Sequence, residues 1–130
     1  MRTLLTQMRV KRLIRLHAEC VRRLEGMPPA ARQVLVRRLL QAVDDVRSAW
    51  HAESETGVPL AGLQRHMTRG LAATAAAIAS LERPGANLVT LTSEFREAVL
   101  PLLFFLRGLE DCREEALLAW LQTQPLKRSA

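Results

Sequence analysis

An all-α fold, an antiparallel four-helix bundle, is the architecture this sequence predicts, on three observations. Apolar residues make up 48% of the 130 residues, yet aromatics make up only 4% and tyrosine is absent. The core must then be built from Leu, Val and Ala, which suit helices better than strands. Glycine and proline cluster at a few places and cut the chain into four segments of helical length. Within those segments apolar side chains recur at helical spacing. At this length one domain, residues 1–130, is expected, large enough for a core without staples or metal.

The first helix is expected over about residues 3–25, ending at Gly26 with Pro28 just beyond it, the usual C-terminal punctuation. From Val10 onward, Val10, Leu13, Ile14, His17, Cys20, Val21 and Leu24 share one face. Arg9, Lys11, Arg12, Arg15, Arg22 and Arg23 share the opposite one. Leu4, Leu5 and Met8 fall out of phase with the core stripe, so the first turn either contacts something else or is not helical. Pro28 and Pro29 open the second helix, where a missing N–H costs nothing. It covers about residues 29–51, burying Ala31, Leu35, Leu39, Ala42, Val43, Val46 and Trp50 and exposing Gln33, Arg37, Arg38, Gln41, Asp44 and Asp45.

Glu53–Pro59 reads as a loop by composition. The third helix is expected over about residues 60–83, ending at Pro84-Gly85, with Leu63, Met67, Leu71, Ala75 and Ile78 as its stripe. The fourth is expected over about residues 92–123, with Thr92 as N-cap, Pro125 beyond its end, and a kink or split at the internal Pro101. The ending Lys127–Ala130 is expected to fray. Short connections favour antiparallel neighbours. The fourth helix is apolar on more than one side. Phe95, Val99, Leu102, Leu106, Leu109 and Trp120 make one stripe, and Leu100, Leu103, Phe104, Leu118 and Leu121 lie largely off it. Such a helix is central in the fold or covered by a partner, so a protein partner or a homo-oligomer is expected.

Net charge is +6, and it is unevenly placed. Residues 1–40 carry ten basic against two acidic side chains; the other ninety carry nine against eleven. Guanidinium forks match phosphate geometry, so Arg9, Lys11, Arg12, Arg15, Arg22, Arg23, Arg37 and Arg38 are candidates for tracking a nucleic-acid backbone. No aromatic residue interleaves with them, which disfavours base stacking. The competing readings are a solvated face, a protein partner, an anionic membrane surface, or an organelle-targeting segment. Seventeen Arg against two Lys is also the bias of a GC-rich, bacterial-like coding sequence.

Around His66 the sequence runs Gln64-Arg65-His66-Met67-Thr68-Arg69-Gly70. His66 sits off the core stripe, with Arg69, Gly70, Ala73 and Ala77 on its own side. This resembles the H-x-x-[KR]-G motif of histidine phosphotransfer domains, which are also four-helix bundles. The resemblance implies His66 as phosphoacceptor, with Arg69 holding the phosphate and Gly70 giving clearance. The alternative is that the alanine-rich face packs against another helix and His66 is a surface residue.

His17 and Cys20 share a face at i, i+3, and Cys112 is the other cysteine. A core histidine beside a buried thiol is favoured over a metal site, which wants four ligands at tight local spacing. Free thiols in a reducing cytoplasm are favoured over a disulfide. No secretory signal fits, and the longest uncharged apolar run, Ala98–Leu106, is far short of a membrane span. The pairs Asp44-Asp45, Glu110-Asp111 and Glu114-Glu115 diverge by roughly 100° on a helix and read as solvation. No nucleophile–base set and no phosphate loop is visible. The expectation is a non-enzymatic accessory subunit of a larger complex, without cofactor, that binds nucleic-acid backbone through its basic helical hairpin. The alternatives are a protein-interaction module or chaperone acting through the fourth helix, and the phosphotransfer protein.

Overall fold

The computed structural model describes residues 3–55 and 61–124, all in four helices and their connections. They are α1 (Leu4–Arg23), α2 (Pro29–Ser54), α3 (Ala61–Glu82) and α4 (Leu88–Thr123). Of the expected loop Glu53–Pro59, Glu53 and Ser54 instead continue α2; residues 56–59, together with Leu60, Pro125 and Lys127–Ala130, lie outside the described residues.

The turns follow from their glycines. Gly26 and Gly85 adopt φ of +72° and +74°, a region where a Cβ is penalised. Each lets the chain reverse after a helix. Pro29 occupies the first turn of α2, as expected. The start of α4 differs from expectation. Thr92 is not its N-cap; the helix begins four residues earlier, where the Asn87 side chain accepts a 2.8 Å hydrogen bond from the Val89 N–H. Asn caps at least as well as Thr, and the earlier start buries Leu91. Pro101 does not split α4, which runs through it as one helix of 36 residues. Ala98, Leu102 and Phe105, buried on either side of the proline, hold the helical path where one backbone hydrogen bond is lost.

The helices pack in a ring: α1 against α2 and α4, and α3 against α2 and α4. Contacts run in opposite order along sequence neighbours. Thr6 of α1 meets Glu53 of α2, and Arg9 meets Asp45 further back. Leu63 of α3 packs on Gly108 of α4, and Gly70 packs on Leu102. The core is mostly aliphatic, with Phe95 and Phe105 as its largest fully buried side chains. Trp50 meets Phe105 edge-on with ring centroids 5.0 Å apart, and its Nε1–H donates to Gln64 Oε1 at 2.8 Å.

Of the expected core positions, Ile14, Val21, Val99 and Leu106 are half-buried and three are not buried at all. Ala31, Ala75 and Trp120 are exposed. Ala31 and Ala75 sit at the rims of their helices' buried arcs, whereas Trp120 lies where α4 has outrun its neighbours. Leu16, Val36, Ala49, Leu91, Ala98 and Phe105 are buried without having been assigned to a stripe. The first turn of α1 is helical, with Leu4, Leu5 and Met8 exposed. Thr3 makes no side-chain cap there. Instead the Glu53 carboxylate of α2 accepts the Thr6 N–H at 2.6 Å, the Leu5 N–H at 3.3 Å and the Thr6 hydroxyl. An anion from the next helix thus satisfies donors that any helix N-terminus leaves open.

Candidate functional site: the basic hairpin and the outer face of α4

The basic residues separate into three groups. Arg9 is structural: its guanidinium donates to the Asp45 backbone carbonyl at 2.8 Å and ties α1 to α2. Lys11, Arg12, Arg15 and Arg22 are exposed on the side of α1 away from the core and make no ion pair among the described residues. Arg23 pairs with Glu19 at 3.2 Å, a surface contact of little energetic weight. Arg22 and Arg23 are then joined by Arg38 of α2 along one groove of about 620 Å³ at the α1–α2 turn. Arg37 does not join them. It lines a second groove of about 940 Å³ between α2 and α3, with Arg32 and Arg83. Sequence reasoning missed Arg32 and Arg83, because they belong to different helices and no periodicity relates them.

The other unusual surface belongs to α4. Leu100, Leu103, Phe104, Leu118 and Leu121 are all exposed, Phe104 by 56% and Trp120 by 57%. Every residue from Arg113 to Gln124 is exposed. At 1.5 Å per residue α4 is about 54 Å long, against about 39 Å for α2, and its last three turns overhang the bundle. Spacing gives the overhang one mixed face: Glu110, Glu114, Leu117, Leu118 and Leu121 lie at i, i+4, i+7, i+8 and i+11.

His66 is half-buried, its ring tilted against Phe104 with centroids 5.6 Å apart. Arg69 is exposed, but Gly70 and Ala77 are buried. A Cβ on Gly70 would stand 2.6 Å from Leu102 Cδ2. The bare glycine therefore gives clearance to α4 of the same chain, and on its side of α3 Ala77 packs inward while Ala73 is half-buried.

His17 lies in the core. Its Nε2 is 3.0 Å from Thr74 Oγ1, and the Thr74 hydroxyl donates to the Gly70 carbonyl at 2.8 Å. With that proton committed, Thr74 accepts from His17, so the imidazole carries a proton on Nε2. Its Nδ1 has no partner, and the ring meets Phe95 edge-on at 5.4 Å. Burial lowers the His17 pKa to about 4 and raises the Cys20 thiol to about 12. Both groups are thereby held neutral near neutrality, the imidazole as a weak base and the thiol as a poor nucleophile. Cys20 and Cys112 are free thiols. Among the described residues no three His, Cys, Asp or Glu side chains come together as metal ligands, and no helix is long and apolar enough to cross a membrane. No family model matches the chain, and no curated protein or solved structure is detectably similar to it.

Proposed function

We propose that this chain is a non-enzymatic helical adaptor, a small subunit that docks into a larger assembly through the outward face of α4. The observation that carries this reading is the exposure of Leu100, Leu103, Phe104, Leu117, Leu118 and Leu121 along one helix. Large apolar side chains exposed in clusters on one helix mark interaction sites. The two free thiols fit a reducing, cytoplasmic setting. The test is a photo-cross-linking residue at Leu103 in cells, with the exposed Asp44 position of α2 as control. A discrete adduct from position 103 and none from 44 is expected. Equal labelling at the two positions would refute docking through this face.

A second reading, that the adaptor also rests on nucleic-acid backbone, is favoured by Lys11, Arg12, Arg15 and Arg22. Among the described residues these cations are exposed and without ion-pair partners, on a hairpin whose Arg22 and Arg38 share one groove. Phosphate contacts of this kind are salt-sensitive and indifferent to sequence. Replacing Arg12, Arg15, Arg22 and Arg23 by Gln should abolish retention of DNA or RNA at about 150 mM salt, near physiological ionic strength, with helicity unchanged. Wild-type binding in that variant would refute this second reading.

A further inference from the structure

We infer that the overhanging end of α4 is received by a second copy of this chain, in the groove between α2 and α3. The inference rests on the docking reading of α4 and names the occupant of its terminal part. Two surfaces at opposite ends of the bundle complement each other. The overhang is acidic and apolar: Glu110 and Glu114 precede Leu117, Leu118 and Leu121 on one face, and four carboxylates stand against the single Arg113 over residues 110–123. The groove is basic and apolar: Arg32, Arg37 and Arg83 surround a floor that includes Val36, Leu40 and Leu81, with Glu82 its only acid. Leu40 is exposed, and the buried Nε of Arg32 has no hydrogen-bond partner. An acidic amphipathic helix supplies carboxylates for the arginines and leucines for the floor.

The placement also closes. The groove is formed by the start of α2 and the end of α3, whereas the overhang leaves the opposite end of the bundle, beyond the start of α3. Two copies side by side in opposite directions bring each overhang to the other's groove. The contact is isologous, and a two-fold axis leaves no open surface to propagate. Each docked segment is about 16 Å long and about 10 Å across. Counted on both partners and doubled by symmetry, the contact comes to about 640 Å², the scale of a weak, reversible association in which the opposite charges carry much of the attraction.

The test uses the full chain and its mass in solution, by sedimentation or light scattering, over about 1–100 μM at low salt. Wild type should be a dimer that weakens as salt rises, because screening removes part of the attraction. Glu110→Arg with Glu114→Arg should yield monomers, as should Arg37→Glu with Arg83→Glu, each with wild-type helicity by circular dichroism. Mixing the two variants should restore a heterodimer, because each overhang then meets a groove of opposite sign. A wild type monomeric across that range overturns the inference. So does a dimer indifferent to both charge reversals, or a mixture that stays monomeric. A monomer that still forms an adduct from position 103 with a different protein in cells removes only the second copy. A monomer with no adduct removes the docking reading as well.

Discussion

Gly70→Ala probes a glycine at which α3 and α4 pack tightly. The new methyl would lie 2.6 Å from Leu102 Cδ2, 2.9 Å from Cγ and 3.5 Å from the Leu102 backbone nitrogen. The first two contacts are well inside van der Waals separation, and Cγ is not the far end of a side chain that swings freely. Overpacking of this kind costs about 1–3 kcal/mol. Alanine is the better helix former by about 1 kcal/mol, so the net loss is about 1 kcal/mol, or about 4 °C in Tm for a domain of this size. Gly62 provides the contrast, since nothing lies within 4 Å of its added Cβ. Gly62→Ala should therefore stabilise, by about 0.5 kcal/mol. Leu102→Ala alone should cost about 2–5 kcal/mol by opening a cavity. In the double variant the methyl added at position 70 enters that space, so the pair should be less destabilised than the sum by about 1–2 kcal/mol. Urea unfolding of the four proteins measures each term. Additive losses, or a Gly70→Ala variant as stable as Gly62→Ala, would refute close α3–α4 packing as the reason for this glycine.

Two further predictions concern groups buried between helices. His17 binds its proton at about pH 4 in the fold and near 6.5 when unfolded. Between those values the unfolded chain holds more protons, so stability should fall as pH drops from about 6.5 to about 4. The total is on the order of 3 kcal/mol, at about 1.4 kcal/mol per pH unit. His17→Leu should flatten that part of the profile; superimposable wild-type and variant slopes would remove the buried imidazole as its cause. Glu53→Gln weakens the carboxylate that receives the first-turn N–H groups of α1 and should cost about 1–2 kcal/mol, the range of a lost charged cap. Amide exchange at Leu5 and Thr6 should accelerate, and unchanged protection there would show that α1 is capped in some other way.

The four helices were legible because their signals are local. Gly26 and Gly85 mark reversals wherever the rest of the chain goes, and the stripe Val10, Leu13, His17, Cys20 repeats with the helix's own period. The same locality explains the errors. Thr92 has the chemistry of a cap, but Asn87 comes first in the chain and commits the backbone. Pro101 has the chemistry of a breaker, yet buried neighbours on both sides carry the helix past it.

The candidate surfaces were legible only in part. Exposed leucines off the α4 stripe could be read from the wheel, since a side chain outside the core arc has nowhere else to point. Which arginines share a groove could not, because Arg37 and Arg38 are adjacent in sequence but diverge by about 100° around α2. Only the packing of α1 on one flank and α3 on the other sends Arg38 toward Arg22 and Arg37 toward Arg83. The same holds for Gly70, whose bareness is a property of one helix until Leu102 of another fills the space beside it. Helix period and turn chemistry belong to neighbours along the chain, and so they can be read from it. Shared grooves, the Glu53 cap and the His17–Thr74 bond join residues on different helices, far apart along the chain, and they come into being only when the helices meet.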